Sequence, residues 1–232
     1  MCLELYGVGE EMVERFNISL SKVDSKERGC VRLKEPFAEF VKTELGSGTL
    51  LITCGLPGTW KTETSQEISK IKGFPILRTD LIRLELLKNE DIFDEKVASS
   101  MSKREFVYNE MFRRADDLVR KSSGVILDAT FVTQKLRRRA AEIAAKRNAT
   151  FVILQTHCSE EASIARILRR TKDDYESNAL TRQAYLNNKK MFEPVDLDDL
   201  KRRHPRLKIV HLTVDTESDP PEDWYIIGME AR

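Results

Sequence analysis

The segment "TLLITCGLPGTWKTETSQ", residues 49 to 66, ends a glycine-rich turn on a lysine and a hydroxyl side by side, Lys61 and Thr62. That pairing suits phosphate chemistry. A phosphate-binding loop converges backbone N–H groups on phosphate oxygens at a helix N-terminus, while a lysine neutralises the β and γ phosphates and a hydroxyl ligates magnesium. Its signature is G-x-x-x-x-G-K-[ST], and counting from Gly55 every position fits but one, because Trp60 stands where the last glycine belongs. Gly55, Pro57, Gly58, Thr59, Trp60, Lys61 and Thr62 are the candidate nucleotide-binding residues. Glycine serves at position 60 because the backbone passes close to the phosphates in a conformation costly to a residue with a Cβ. A tryptophan there either moves the loop to ordinary helical dihedrals and points its indole away, or fills part of the nucleotide site.

Two carboxylates keep company with this loop. Asp80 closes the run "FPILRTD" and Asp128 follows four apolar residues in "GVILDAT". If both runs are parallel strands, both acids lie at carboxyl ends, the edge where open α/β sheets bind ligands. Asp128 would then hold magnesium through water beside Thr62, and Asp80 would either face the site or cap the next helix. Arg166, Arg169 and Arg170, in "RILRR", either face the phosphates or lie on a solvated surface.

The elements that must position these residues are legible as a pattern. "LLITCG" (50 to 55), "FPILRTD" (74 to 80), "GVILDAT" (124 to 130), "TFVILQTHC" (150 to 158) and "LKIVHLTVD" (207 to 215) are nearly continuous apolar runs, as strands covered on both faces should be. Helical patterns lie between them. "KREFVYNEMFRRADDLVRK" puts Phe106, Val107, Met111, Ala115, Leu118 and Val119 on one stripe. "TQKLRRRAAEIAAKR" offers Thr133 as its N-cap and buries Leu136, Ala140, Ile143 and Ala144. "SEEASIARILRR" follows Ser159 with acids in its first turn and bases in its last, in accord with the helix dipole. The alternation predicts an α/β fold with a parallel sheet. Residues 1 to 46 break the pattern: "GEEMVERFNI" and "EPFAEFVKTEL" read as short helices around a charged turn, "DSKERG", in an extension packed on the core.

Composition sets the limits. In 232 residues, 41% are apolar and 33% charged, which suits a folded globular chain, and 39 basic against 38 acidic side chains leave no global field for nucleic acid or a membrane surface. No apolar run reaches the length of a membrane span and the N-terminus lacks a basic leader, so a cytoplasmic location is expected. Cys2, Cys30, Cys54 and Cys158 form no paired spacing and read as reduced thiols, the last two in the core. His157, His204 and His211 show no metal-ligand spacing. The basic runs "RRR" (137 to 139) and "KRRH" (201 to 204) are either a phosphate-binding patch or solvated helix faces. No feature marks an obligate protein partner.

Taken together, "GLPGTWKT", "RTDLIR", "VILDATF", "RILRR", "SNALTRQAY" and "MFEP", in this order and at these intervals, resemble the P-loop kinases related to the zeta toxins and to the kinase domain of bacteriophage polynucleotide kinase. The resemblance covers about residues 49 to 216. It implies a three-layer P-loop fold with a five-stranded parallel sheet in adenylate-kinase-like order, the kinase domain running over 47 to 232 after the extension. It also implies ATP with Mg2+ as cofactors and transfer of the γ phosphate to a hydroxyl of a small molecule, a nucleotide or an RNA end. In that family pattern Lys61 binds phosphate, Asp80 is the base that takes the acceptor's proton, Arg83 meets the substrate phosphate or the transition state, and a mobile lid at 166 to 182 brings Arg166 and Arg170 over the ATP. The metal-side residues are Thr62 and Asp128. The departure at Trp60 leaves a second reading beside the kinase, a nucleotide-binding regulatory protein that has lost transfer.

Overall fold

The apolar run after Gly48 becomes the middle one of five parallel strands within a seven-stranded sheet. The structure is a computed structural model and describes residues 30–90, 97, 100–170 and 180–232. Strands β1 (Cys30–Pro36), β2 (Thr49–Cys54), β3 (Ile76–Arg78), β4 (Gly124–Asp128), β5 (Thr150–His157), β6 (Ile209–Asp215) and β7 (Tyr225–Ala231) lie in the order β1-β7-β6-β5-β2-β4-β3. The five expected runs, β2 to β6, pair in parallel. The expectation of five strands in all is corrected to seven, since β7 adds antiparallel to β6 and β1 antiparallel to β7.

Helices connect the strands: α1 (Phe37–Glu44), α2 (Lys61–Lys72), α3 (Thr79–Leu86), α4 (Met101–Leu118), α5 (Gln134–Lys146), α6 (Glu160–Arg169), α7 (Arg182–Met191) and α8 (Leu197–Arg203). Every residue of β2 and β4 is buried, and alternate side chains feed two cores. Leu50, Ile52, Val125, Leu127 and Ile153 pack with Met111, Ala115, Ala140, Ala144 and Leu200 from α4, α5 and α8. Leu51, Ile126, Val152 and Leu212 pack with Ile68 of α2 and with Phe37, Phe40 and Val41 of α1. Two covered faces explain why these strands read as unbroken apolar runs rather than alternating ones.

The helix at "EPFAEFVKTEL" forms as α1, preceded by β1 rather than by a loop, while "GEEMVERFNI" and "DSKERG" lie outside the described residues. On α4 the buried stripe is Val107, Tyr108, Met111, Phe112 and Ala115, and Phe106, expected on it, is 50% exposed. Ser159 caps α6 as expected, accepting from Ala162 N–H. Thr133 makes no side-chain cap for α5; the Glu193 carboxylate accepts from Gln134 N–H instead, at 2.6 Å. Leu136 and Ile143 are only partly buried, and the largest fully buried α5 side chain is Arg137. Cys54 and Cys158 are buried free thiols. Among the described residues no helix is long and apolar enough to cross a membrane.

The basic runs form no patch. Arg137 is fully buried, Arg138 pairs with Asp199 at 2.7 Å, and Arg139 lies 4.4 Å over the Phe112 ring. Lys201 donates to Leu207 O at 2.9 Å and Arg203 pairs with Asp199 at 3.3 Å. Arg137 is thus spent inside the fold, while Arg202 and Arg203 lie on an exposed helix face.

Candidate functional site

Because β2 to β6 are parallel, their carboxyl ends share one edge, and the loop 55–60 leaves β2 there to start α2. Glycine is required twice. Gly55 has φ +144° and a Cβ on it would stand 2.8 Å from Thr156 O; Gly58 has φ +82° and its Cβ would stand 2.4 Å from Ser163 O. Side chains hold the turn from three sides: Thr59 and Thr156 hydroxyls lie 2.6 Å apart, Thr216 Oγ1 donates to Thr59 O at 3.1 Å, and Arg166 Nη1 donates to Gly58 O at 3.2 Å. The first amides of α2 have no acceptor within the helix, so the turn offers N–H groups and the positive dipole end to an anion.

Lys61 opens α2, and its ammonium donates to Leu56 O at 2.6 Å, folding over the loop. Burial lowers its pKa to about 8; the Asp128 charge opposes that shift and Arg170 adds to it. An arriving phosphate would reverse the penalty. Next in the chain, Thr62 Oγ1 donates to Asp128 Oδ2 at 2.7 Å, while Thr53 Oγ1 meets Asp128 Oδ1 at 3.2 Å and Arg78 lies 3.5 Å away. One hydroxyl and one carboxylate beside a phosphate cradle fit magnesium, which keeps several waters and takes few protein ligands. Among the described residues no group of three or more His, Cys, Asp or Glu forms a separate metal site.

Asp80 sits in the first turn of α3, directly after β3. Burial, and after it the nearby Asp128 charge, raises its pKa to about 6, against the pull of Arg83, Arg78 and Lys61. The same fields that disfavour its charge make it a stronger proton acceptor than a surface carboxylate. Arg83, one turn later, is 7% exposed, and its Nε and Nη1 have no hydrogen-bond partner among the described residues. Buried N–H groups without acceptors are expensive, and in a guanidinium they mark a place for an anion.

Trp60 does not take ordinary helical dihedrals. It keeps the left-handed conformation of a glycine, φ 54° and ψ 35°, at a cost of about 1–2 kcal/mol. Its indole stacks on the Arg166 guanidinium, 4.7 Å from ring centroid to Cζ, and Nε1 donates to Asp219 Oδ1 at 3.3 Å. Arg166 therefore does not face the loop from outside. It is 3% exposed and donates to Asp219 Oδ1 at 2.9 Å and Glu217 O at 2.8 Å as well as to Gly58 O. Arg169 is exposed and 3.5 Å from Asp219, and Arg170 follows α6 within charge reach of Lys61. Of the lid expected at 166 to 182, residues 171–179 lie outside the described residues.

The sequence thus brings Lys61, Thr62, Asp80, Arg83 and Asp128 to one edge, while it missed Thr53, Thr156, Thr216 and Asp219. Asp219 had no strand-end signal, since the strand-end position of β6 belongs to Asp215 and Asp219 lies four residues beyond it.

A family model described as an AAA domain matches residues 50–195, the stretch from β2 past the loop after α7. No curated protein matches the sequence. Among solved structures, a gluconokinase from Sinorhizobium meliloti 1021 is similar with a TM-score of 0.51 and 16% identity, over 76% of this chain and 86% of that one. A sugar kinase from Janibacter sp. HTCC2649 is similar with a TM-score of 0.53 and 13% identity, over 75% and 87%. At such identities the likeness is one of fold.

Proposed function

The chain belongs to the AAA domain family, and from that premise we propose that it is an ATP-dependent kinase that phosphorylates a hydroxyl of a small, negatively charged acceptor. The observation that carries this reading is Asp80. A half-buried carboxylate with its pKa raised to about 6, beside a phosphate loop and within charge reach of Asp128, is of no use to a protein that only binds nucleotide. Phosphoryl transfer asks for positioning and charge neutralisation more than for covalent help. Lys61 and the loop amides hold the phosphate chain, and Asp80 accepts the acceptor's proton as the hydroxyl attacks. Thr62 and Asp128 would hold magnesium, which would neutralise phosphate charge. Arg170, next to Lys61 in charge, comes from the lid side.

Arg83 selects the acceptor class. Its Nε and Nη1 have no acceptor among the described residues and its charge lowers the Asp80 pKa, so an anionic group bound to Arg83 leaves a neighbouring hydroxyl at Asp80. Together with a gluconokinase and a sugar kinase among the fold neighbours, this favours a polyhydroxy acid or sugar phosphate over a neutral alcohol. The parallel core order β3-β4-β2-β5-β6 supports an adenylate-kinase-like arrangement within the zeta-toxin and polynucleotide-kinase-like group. Residues 47 to 232 are then the kinase domain and the preceding segment its extension, in a cytoplasmic enzyme with reduced thiols.

The test is transfer of label from γ-labelled ATP with magnesium to panels of aldonates, sugar phosphates, neutral sugars, nucleosides and 5′-hydroxyl oligonucleotides. Label in an anionic polyol is the expected result. Intact ATP binding with label reaching no acceptor would remove the kinase reading and leave a nucleotide-binding regulatory protein.

A further inference from the structure

Trp60 keeps a left-handed backbone that glycine adopts freely, so something holds the indole where it is. The holding groups are all visible. Arg166 covers one face of the ring, Asp219 fixes its N–H, and Asp219 in turn binds Arg166 Nε. Arg166 is anchored on Gly58 O and Glu217 O, so the ring rests on a cation that cannot swing away. Behind it lies the apolar cluster containing Trp224 and Phe37, against which Trp60 packs. A side chain fixed at both face and edge has little rotamer freedom left to lose when a ligand arrives.

The two members of this stack differ in access. Arg166 is 3% exposed, whereas Trp60 is only partly buried, so the planar surface offered at the rim of the loop is indole and not guanidinium. That surface is joined to the phosphate cradle through one peptide link, because Lys61 and Thr62 directly follow Trp60. Strain kept at a functional loop by surrounding contacts points to a use for the strained residue.

We propose that the outward face of Trp60 is the platform on which the base of the bound nucleoside triphosphate stacks, so that Trp60 sets the base preference, purine over pyrimidine. The inference rests on the nucleotide-site reading above and goes beyond it by naming the residue that recognises the base. Stacking on an aromatic ring depends on the π-face that every base has and grows with its area, so adenine and guanine are both accepted and cytosine and uracil bind less tightly. The Arg166 cation on the far face keeps the ring in place and is shielded by it from the nucleotide.

The experiment titrates the full chain, with magnesium, against ATP, GTP, CTP, UTP and inorganic tripolyphosphate, reading tryptophan emission and melting temperature together. Trp224 is 1% exposed and donates to Ser218 O, so changes on adding ligand report chiefly on Trp60, with Trp224→Phe as control. ATP and GTP should quench the emission and raise the melting temperature, whereas tripolyphosphate should raise the melting temperature alone. In Trp60→Gly, which accepts the same backbone without strain, ATP affinity should fall about tenfold or more towards that of tripolyphosphate. Tripolyphosphate affinity should be unchanged, and Trp60→Phe should retain most of the ATP affinity. ATP binding without an emission change, or Trp60→Gly binding ATP as tightly as the parent or more tightly, would overturn the platform and leave the phosphate loop standing. If neither ATP nor tripolyphosphate shifts the melting temperature, the nucleotide-site reading fails and takes the platform with it.

Discussion

The Thr62 hydroxyl donates to the Asp128 carboxylate at 2.7 Å, joining the first turn of α2 to the end of β4. The contact spans 66 residues of sequence and sets the spacing of the pair proposed to hold magnesium.

Asp128→Asn keeps the shape of that pair while removing the charge, and its single amide oxygen accepts from one hydroxyl where the carboxylate oxygens meet two. Magnesium demand should rise, with the concentration for half-maximal transfer increasing roughly 10- to 100-fold, the usual scale for disturbing a metal site. ATP-free stability should fall by about 1–3 kcal/mol, because the carboxylate charge beside Arg78 and one hydroxyl acceptor are lost. A magnesium titration of initial rate checks this, and an unchanged half-saturation value would remove Asp128 from the metal role.

The pH profile follows from two shifts of opposite sign. Asp80 must be deprotonated to accept a proton, and its pKa is raised to about 6, so kcat/KM should climb as pH passes upward through about 6. Lys61 must be protonated to hold phosphate, and its pKa is lowered to about 8, so kcat/KM should fall again above about 8. The free enzyme should therefore give a bell with its maximum near neutrality. Asp128 is the second cause of the Asp80 shift, so in Asp128→Asn the acidic limb should move below 6 while the alkaline limb, losing the Asp128 support for Lys61, should also move down. Limbs that stay fixed in that variant would mean other groups titrate.

Much of this arrangement was legible in the sequence, for identifiable reasons. Strands β2 to β6 are covered on both faces and announce themselves as apolar runs, and Lys61, Thr62, Asp80 and Asp128 sit in or directly after such runs. The edge strands were not legible. The β1 residues "CVRLKEP" carry Lys34 and Glu35 and β7 is interrupted by Gly228, so neither gives a continuous signal. Trp60 could be seen as a departure, but its partners could not, since Arg166 and Asp219 are 53 residues apart and meet only because β6 lies beside β5. Arg137 was hidden for a further reason: its partners are mostly backbone carbonyls, which no side-chain pattern records.

Among the described residues Arg137 is the one arginine with no surface exposed. Its Nε donates to Phe131 O at 3.0 Å, Nη1 to Pro194 O at 2.9 Å and Nη2 to Glu193 O at 2.7 Å, and the Phe192 ring lies 5.3 Å away. One guanidinium thereby pins the segment before α8 to the loop that follows Asp128. Arg137→Met keeps the approximate volume but leaves those carbonyls buried without donors, for a loss of about 3 kcal/mol or more. For a chain of this size that is a fall in melting temperature of roughly 6–12 °C. Arg137→Lys retains the charge but cannot reproduce the planar fork, so it should fall between the parent and Arg137→Met. Calorimetric melting of the three proteins at neutral pH decides the matter. If Arg137→Met melts within about 2 °C of the parent, the guanidinium is not what holds the two loops together.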